Sequence, residues 1–308
     1  MIPIVNFDAY SLDQTTDSED SPNVQKLAKE ICHAFSSVGF VYIQNHGIGG
    51  STIQQFLSTS KQFFDEPVTV KKEYTVPKDD YYGWMGFQSE SLNPERKGGD
   101  LKESYNFNPR IGEKGTPIKV LPNFYDVYNN FFEQCQELAY RIMDLMCIGM
   151  GLDRVYIRNC HQLIGQDGNL TSLRSLYYPP VPQDVKPGQI RCGEHTDYGT
   201  ITLLFQDDIG GLQVKPCNAD FKAAAPILGT VLVNLGALMQ RWTADKLLAT
   251  EHRVIIPEEE IKRKTGRQSV AFFVQPDDDV MITCLDKSNK YEPITARDYL
   301  NMRFHATF

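Results

Sequence analysis

The residues best suited to chemistry lie in the stretch GEHTDYG at 193–199, directly before a predicted strand at 201–206. His195 and Asp197 are two positions apart, so in extended backbone both side chains leave the chain on the same face. A third ligand from another strand would complete a facial ligand set and leave the opposite side open for substrate and dioxygen. Two histidines and one carboxylate are the donors that suit non-heme Fe(II) in oxygen-activating enzymes. The stretch therefore predicts an iron site, with a metal-free surface strand pair as the alternative.

The chain offers six histidines as possible ligands. His252 is the natural partner of the HxD pair, because it begins the strand-like run HRVII in the predicted barrel region. The others lie in less suitable places: His33 on the polar side of a predicted helix, His46 in a turn, His161 in a loop and His305 near the end. The predicted third ligand is therefore His252.

A pair of residues suited to binding a carboxylate follows 15 residues after His252. Arg267 and Ser269 are at strand spacing, so the guanidinium and the hydroxyl share a face. Arginine offers a bidentate fork and serine an additional donor, and together they can hold a carboxylate. Phe273 continues on the same face and would supply an apolar wall. The alternative, a surface Arg–Ser pair, is less favoured behind a metal site.

Helical and strand patterns alternate in the N-terminal part of the chain. Apolar residues repeat at helical spacing over 22–35, and a short strand-like run follows at 40–43. Over 125–150 the helical period returns strongly, which predicts one long helix. Residues 1–120 are therefore expected to form an α/β segment packed on the core.

Residues 121–308 are expected to hold the long helix and the catalytic core. Beyond residue 172, short apolar runs alternate with turn residues: LRSLYY, ITLLFQ, LQVK, TVLVNL, HRVII and QSVAFFVQ. This spacing favours an antiparallel barrel or sandwich over βαβ units. An apolar stretch at 299–308 predicts a terminal helix packed on that barrel. The expected fold class is mainly β with flanking helices, in one compact unit.

Composition restricts the class of protein and its partners. With 308 residues, of which 41% are hydrophobic and 23% charged, the chain is typical of a globular protein with a large core. The 31 basic and 39 acidic residues give a net charge of −8 without a Lys/Arg block, so we expect no nucleic-acid partner. No apolar run approaches the roughly 20 residues of a membrane helix, so we expect no membrane partner.

Cellular location follows from the N-terminus and the cysteines. The opening MIPIVNFDAY lacks the cationic and apolar regions of a secretory signal. The seven cysteines are scattered and form no CxxC pair, which indicates reduced thiols. We therefore expect a cytoplasmic protein. We also expect a monomer whose partner is a small-molecule substrate.

Taken together, these motifs resemble the iron(II)- and 2-oxoglutarate-dependent dioxygenases, in the branch that contains isopenicillin N synthase, aminocyclopropanecarboxylate oxidase and the plant flavonoid oxygenases. The resemblance spans most of the chain. It is carried by IPIVNF, GFVYIQNHGI, GGDLKESYNF, YYPP, EHTDYGTITLLFQDDIGGLQV, VNLGALMQRWT, EHRV and RQSVAFF. It implies a double-stranded β-helix (jelly-roll) core and an enzyme that uses Fe(II), 2-oxoglutarate and O2.

The resemblance also implies roles for individual residues. Fe(II) would be held by His195, Asp197 and His252, and the distal carboxylate of 2-oxoglutarate by Arg267 and Ser269.

Two departures from the family pattern concern the surroundings of these residues. Plant members have an Asn-x-Tyr motif near the cosubstrate, of which Tyr178 is present here while Leu176 replaces the asparagine. The aspartate that follows VNLG in the family is Ala237 here. Tyr178 is therefore kept as a cosubstrate-binding candidate, and the pocket loses one polar group at position 176.

In the family, the aromatic segment 76–118 crosses the mouth of the barrel. Four of its residues are therefore candidates for substrate binding, together with Phe273: Tyr82, Trp84, Asn106 and Phe107. Ordinary core packing is the alternative for each of the four.

Strand parity adds Arg174 as a further substrate-binding candidate. If Tyr178 faces the active site as its family counterpart does, alternation turns Arg174 to the same interior face. An interior cation is costly unless it is paired, and Arg267 is already assigned to 2-oxoglutarate. Arg174 would then bind a substrate carboxylate, or else form an ion pair with Glu103 or Glu194.

Three functions remain open on the sequence. The first is an oxygenase that hydroxylates or desaturates an unactivated C–H bond of a small molecule with 2-oxoglutarate as cosubstrate. The second is an oxidative cyclase resembling isopenicillin N synthase, which closes a ring with or without 2-oxoglutarate. The third, a non-enzymatic binding protein on the same fold, is disfavoured by the intact HxD, His and RxS motifs.

Overall fold

A computed structural model describes most of the chain. The described residues are 1–15, 18–77, 81–93, 98–110, 118–119, 121–185, 189–217, 219–256, 258–259 and 264–305.

The described residues include six α-helices, which flank the strands. They are α1 Pro22–Ser37, α2 Gly50–Asp65, α3 Val68–Lys71, α4 Phe124–Met150, α5 Ala237–Trp242 and α6 Ala296–His305. The predicted helix that starts at Pro22 and the predicted long helix are both confirmed. The long helix ends at Gly151, whose φ of 71° is the left-handed conformation that glycine adopts most easily.

Short strands make up most of the remaining regular structure, beside three short 3-10 helices at Asp8–Tyr10, Lys72–Tyr74 and Arg158–Cys160. The strands are β1 Ile4–Asn6, β2 Phe40–Gln44, β3 Gly83–Met85, β4 Glu103–Phe107, β5 Ser172–Tyr178, β6 Cys192–His195, β7 Ile201–Gln206, β8 Leu212–Val214, β9 Lys222–Ala223, β10 Thr230–Leu235, β11 His252–Val254, β12 Arg267–Val274, β13 Met281–Ile282 and β14 Ile294–Thr295. Each predicted apolar run of the C-terminal part overlaps one of these strands.

Two sheets form the core of the molecule. The larger has eight strands in the order β1-β2-β10-β7-β12-β5-β4-β3, and the smaller has four in the order β6-β11-β8-β9. Buried residues from both sheets pack against each other in one cluster, which includes Leu176 and Leu232 of the large sheet and Val214 and Val254 of the small one. The mainly β architecture with flanking helices is the predicted fold class.

The N-terminal segment is built into the large sheet. Strand β2 pairs antiparallel with β10, and β1 pairs parallel with β2. At the other edge, β4 pairs antiparallel with β5, and β3 with β4. Strands from before and after residue 120 therefore share one sheet. The boundary itself stays a prediction.

The outer face of the large sheet is covered by helices. Side chains of α2 and α4, among them Phe56, Phe131 and Phe132, pack against Phe205 and Phe272 of the central strands. This helix-covered core is separate from the cluster between the two sheets. Strand alternation therefore decides whether a side chain of the large sheet meets the helices or the space between the sheets.

The predicted terminal helix is present as α6, which contacts the HxD loop and the segment before β3. Phe304 stacks on Tyr81 with ring centroids 5.0 Å apart and meets the edge of Tyr198 at 5.8 Å. The Arg303 guanidinium lies 4.7 Å from the centre of the Tyr198 ring. Residues 306–308 of the predicted helix lie outside the described residues.

Candidate metal centre and active site

The structure brings His195, Asp197 and His252 together. His195 ends β6 and His252 begins β11, and the two residues are paired directly across these antiparallel strands. Each Nε2 atom lies 3.7 Å from Oδ1 of Asp197, which follows two residues after His195. One ligand atom of each residue lies within 4.8 Å of the others, so the three can coordinate one ion.

Hydrogen bonds fix the orientation of these three side chains. Nδ1 of His195 lies 2.7 Å from the carbonyl oxygen of Gly193, and Nδ1 of His252 lies 3.1 Å from that of Thr250. A carbonyl oxygen only accepts, so each Nδ1 carries the proton and each Nε2 keeps a free lone pair. The ring orientations therefore suit metal ligation through Nε2.

The carboxylate of Asp197 is held in a similar way. Thr202 of β7 and Asn234 of β10 donate hydrogen bonds of 2.7 and 2.6 Å to its Oδ2 atom. Oδ1, the atom nearest to both imidazoles, is thereby turned toward them. Sequence reasoning missed these two residues, although both lie on the inner face of predicted strands.

The backbone of the HxD loop is anchored on helix α5. The N–H groups of Ala237 and Leu238 donate to the carbonyl oxygens of Asp197 and Tyr198, at 2.7 and 2.9 Å. These N–H groups belong to the first turn of the helix, where they have no partner within it. Gly199 lies so close to the Val274 carbonyl that a Cβ atom there would collide with it. A glycine is therefore required for the loop to approach β12.

Burial and proximity set the charges of the ligand residues. Burial and the neighbouring His252 lower the pKa of His195 to about 3. Burial alone would raise the pKa of Asp197, but the two imidazoles and the hydrogen bonds from Asn234 and Thr202 lower it overall. His195 is thus a neutral imidazole and Asp197 an ionised carboxylate, which are the forms that bind a divalent cation.

Arg267 and Ser269 lie on the inner face of β12, which faces the small sheet that carries His195 and His252. Arg267 is only 1% exposed, and its Nη1 donates to the Ser269 hydroxyl at 3.1 Å and its Nη2 to Gln206 at 3.2 Å. Its guanidinium carbon lies 4.7 Å from the centre of the Tyr178 ring, which is directly opposite on β5. The Nε atom of Arg267 is buried without a hydrogen-bond partner among the described residues. A bound anion can supply the missing acceptor.

The wall around this pair is mostly apolar. Leu176 of β5 pairs with Ser269, and Phe273 continues on the inner face of β12. Both pack in the cluster between the sheets, as does Ala271. The apolar side chain at position 176 therefore reduces the number of hydrogen-bonding groups on this wall.

Arg174 faces the same interior as Leu176 and Tyr178, as strand parity predicts. Its guanidinium forms an ion pair with Glu90 and donates to the Ser104 hydroxyl at 2.9 Å. The carboxylate partner is thus Glu90, and neither Glu103 nor Glu194 plays this part.

The two carboxylates that the sequence suggested as partners of Arg174 form ion pairs with other residues. Glu103 pairs with Lys71 at 2.8 Å on the helix-covered side of the sheet, and Glu194 pairs with Arg253 at 2.9 Å.

Two of the aromatic candidates for the substrate pocket face the wrong way. Trp84 and Phe107 lie on the helix-covered face of the large sheet and belong to the core formed with α2 and α4. The indole Nε1 of Trp84 donates to Glu103 at 2.8 Å. Strand alternation explains the correction, because Trp84 pairs with Tyr105 and not with a residue of the inner face.

Asn106 and Tyr82 differ in their surroundings. Asn106 pairs with Arg174 across β4 and β5, on the inner face, and its Nδ2 donates to the Tyr81 carbonyl at 2.9 Å. Tyr82 is buried, and its hydroxyl accepts a hydrogen bond of 3.0 Å from Arg110. Asn106 therefore remains a candidate for substrate contact, whereas Tyr82 is engaged by a neighbouring arginine.

Comparison with known proteins identifies the family. The family model of the 2OG-Fe(II) oxygenase superfamily matches residues 170–276. A second family model, described as "non-haem dioxygenase in morphine synthesis N-terminal", matches residues 2–134. The 2-oxoglutarate-Fe(II) type oxidoreductase ppzD of Metarhizium rileyi is 30% identical over 92% of this chain and 86% of its own length. The chain belongs to the 2OG-Fe(II) oxygenase superfamily.

Two further proteins match this 2OG-Fe(II) oxygenase over nearly the whole chain. The proline hydroxylase buaE of Petromyces alliaceus is 32% identical, over 96% of this chain and 98% of its own length. The crystal structure of a full-length Neurospora crassa protein in complex with alpha-KG and thymine has 34% identity and a TM-score of 0.85, and the match covers 100% of this chain and 97% of that one. These comparisons confirm the jelly-roll fold and the oxygenase family that the motifs predicted.

The enzyme class and the cofactors of this oxygenase follow from the family and the site. It is an oxidoreductase that uses Fe(II), 2-oxoglutarate and O2. The curated relatives named above are an oxidoreductase and a hydroxylase, and the oxidative-cyclase alternative is not favoured. Within the described part of the chain, no helix combines the length and apolar character needed to cross a membrane.

The remaining described histidines of the oxygenase lie away from the metal ligands. His161 is fully buried, with Nδ1 2.7 Å from the Ile157 carbonyl and Nε2 2.8 Å from the Thr200 hydroxyl. His33 lies on the outer side of α1, and His46 is buried in the turn after β2. The side chain of His305 lies outside the described residues.

Several buried charges near the site were missed by sequence reasoning. Glu90, Asp100 and Lys102 form a charged cluster with Arg174, in which Lys102 donates to Asp100 at 2.7 Å. Arg191, just before β6, is also fully buried. The first three come from the aperiodic segment 76–118, where no pattern separates a buried charge from an exposed one.

Proposed function

We propose that His195, Asp197 and His252 hold the Fe(II) of this oxygenase and that the enzyme hydroxylates a C–H bond of a small molecule. The observation that carries this proposal is the convergence of two Nε2 atoms on Asp197 Oδ1, with every other polar atom of the three side chains hydrogen-bonded elsewhere. Bound Fe(II) supplies the activation of dioxygen that oxidation of an unactivated C–H bond requires. The surrounding hydrogen bonds keep the three ligands in place before the metal arrives.

Arg267 and Ser269 anchor the distal carboxylate of 2-oxoglutarate in this proposal. The two side chains are buried and share one face, and the guanidinium has an N–H without a partner among the described residues. The ring of Tyr178 lies against the guanidinium and keeps it in place. The apolar neighbours Leu176 and Phe273 exclude water, which strengthens the ion pair between arginine and carboxylate.

We further propose that the substrate is a small polar ring compound. The similar Neurospora crassa protein was crystallised with thymine, and buaE is named a proline hydroxylase. The inner face of this chain offers Asn106, whose Oδ1 is buried without a hydrogen-bond partner among the described residues, beside the Arg174–Glu90 pair. Because Glu90 already neutralises Arg174, a simple anionic substrate is less suited to the site than a neutral or zwitterionic one.

The test of the metal assignment compares single alanine variants. His195→Ala, Asp197→Ala and His252→Ala should each lose Fe(II) binding, measured by anaerobic titration, and reduce succinate formation to background. Their circular dichroism should stay near that of the wild type, because the hydrophobic cores do not depend on the metal. His33→Ala, at a histidine outside the site, is the matched control and should change neither quantity.

The same assay decides the reaction type and the substrate class. Thymine, proline and a phenolic compound are offered with 2-oxoglutarate, and succinate and oxygenated product are measured together. Equal amounts of succinate and hydroxylated ring compound support the proposal. Product formation and oxygen consumption without succinate would indicate the oxidative cyclase instead, and a triad variant with near wild-type turnover and bound iron would refute the ligand assignment.

A further inference from the structure

Arg191 is a buried cation with incomplete hydrogen bonding. It lies directly before β6 and is 0% exposed. Its Nη2 atom donates to the Thr265 carbonyl at 3.2 Å, but its Nε and Nη1 atoms are buried without a hydrogen-bond partner among the described residues. Burying a guanidinium in this way costs free energy unless an anion compensates it.

The contrast with the other buried cations shows that Arg191 and Arg267 form a special pair. Among the described residues, the four lysines and arginines with the least exposure are Lys71, Lys102, Arg191 and Arg267. Lys71 contacts Glu103 at 2.8 Å and Lys102 contacts Asp100 at 2.7 Å, whereas no carboxylate of the described residues is within ion-pair distance of Arg191 or Arg267. Within the described part of the chain, these two cations thus both lack a paired anion.

Arg191 and Arg267 are also close to each other, because the Thr265 carbonyl that accepts a hydrogen bond from Arg191 lies two residues before Arg267. Burial and the charge of Arg267 lower the pKa of Arg191 to about 10. Asp207 is the acidic side chain that interacts with both guanidinium groups, but its two carboxylate oxygens accept hydrogen bonds from the backbone N–H groups of Gln268 and Ile209. Among the described residues, Arg191, Arg267 and Asp207 together therefore carry a net charge of +1.

We propose that Arg191 is a second cation of the cosubstrate site and that, together with Arg267, it stabilises the distal carboxylate of 2-oxoglutarate. The inference rests on the proposed function, in which Arg267 anchors that carboxylate. One added carboxylate brings the charge of Arg191, Arg267 and Asp207 to zero, and it supplies acceptors for N–H groups that have none among the described residues. Arg191 then favours a 2-oxo acid with a second carboxylate over one with an apolar end.

The experiment compares two 2-oxo acids of the same chain length. 2-Oxoglutarate and 2-oxopentanoate differ only in the distal carboxylate, and their dissociation constants are measured by calorimetry on the Mn(II)-loaded protein. Arg191→Met should weaken 2-oxoglutarate about tenfold or more, as expected for a lost charge-assisted interaction, and leave 2-oxopentanoate within about twofold. Equal weakening of both acids, or of neither, overturns the inference.

Two controls keep the result interpretable. Arg267→Met tests the proposed function separately. If this variant leaves 2-oxoglutarate binding unchanged, the cosubstrate site itself is misplaced. If Arg267→Met weakens binding and Arg191→Met does not, only the role of Arg191 is rejected. The melting temperature gives a second readout. Because Arg191→Met removes an uncompensated buried charge, the ligand-free variant should be as stable as the wild type. Addition of 2-oxoglutarate should raise the melting temperature of the variant less than that of the wild type. If Arg191→Met does not fold, Arg191→Gln, which keeps a donor for Thr265, is judged by the same two outcomes.

Discussion

At the scale of single residues, the charged cluster beside the candidate iron site shows how an interior cation is tolerated. Burial alone would raise the pKa of Glu90, but Arg174 and Lys102 lower it to about 2, so the carboxylate is ionised. Glu90 and Lys102 also interact electrostatically with His195. The cluster therefore contributes to the field around the three candidate ligands, without an excess of charge.

Replacing Arg174 separates its structural role from a role in substrate binding. Arg174→Met leaves Glu90 with Lys102, whose Nζ lies 3.8 Å away, as its remaining partner. We expect a loss of about 3 kcal/mol in the free energy of unfolding, at the lower end of the range for a broken buried ion pair. Urea denaturation measures it. Unchanged stability together with a strongly raised KM would show instead that Arg174 serves the substrate.

At the scale of elements, strand register sorts the inner from the outer residues of the large sheet. Arg174, Leu176 and Tyr178 face the site, while Tyr177 stacks on Phe64 of α2 and Ser175 bonds to Tyr128 of α4. The same alternation carries through β12, where Arg267 and Ser269 face inward. A shift of one residue in either strand would therefore exchange the proposed cosubstrate anchors with the helix-facing core.

The close contact between the HxD loop and β12 makes Gly199 sensitive to substitution. In Gly199→Ala the added methyl group would collide with the Val274 carbonyl and with Gln275. We expect a loss of about 1–3 kcal/mol in stability, typical of overpacking, and a displaced Asp197 that binds Fe(II) more weakly. Gly151→Ala is the control, because its left-handed φ of 71° makes alanine strained although the space around it is open, so it should lose stability without weakening Fe(II) binding. Unchanged iron affinity in Gly199→Ala would contradict the positioning role of this contact.

At the scale of the whole molecule, the stability should fall in mild acid because a histidine is buried in its neutral form. Burial lowers the pKa of His161 to about 4, from an ordinary value of 6.5. Between these values the unfolded chain binds a proton that the folded protein does not, so stability is complete above pH 6.5 and decreases as the pH falls toward 4. The loss from this one residue is about 3 kcal/mol in total.

The measurement is the unfolding free energy of the metal-free protein between about pH 7 and pH 5, on the upper side of the His161 transition. His161→Asn, which keeps a donor for the Ile157 carbonyl, should show a flatter pH dependence than the wild type. His33→Asn, at a histidine on the outer side of α1, should follow the wild-type curve. If His161→Asn loses stability with the same slope as the wild type, other groups dominate the acid response.

The sequence by itself determined the parts of this protein that depend on local spacing. The HxD pair, the alternation of Arg267 with Ser269 and of Arg174 with Tyr178, and the strand and helix periods are all set by residues a few positions apart. The family motifs then added the fold, which the comparisons and the sheets bear out, and the ligand set, which stays a proposal. The inward orientation of Arg174 was predictable because strand alternation places it on the same face as Tyr178, whose family counterpart faces the active site.

Only the tertiary structure decided which residues from distant parts of the chain meet. The partner of Arg174 is Glu90, 84 residues earlier, in a segment without periodicity. Trp84 and Phe107 face the helices because their strands join the sheet in a register that no local pattern specifies. Arg191 and Arg267 have nitrogen atoms without hydrogen-bond partners among the described residues, and this too depends on which distant segments meet. A side chain's burial and charge balance depend on contacts across the whole fold, and spacing along the chain carries no information about them.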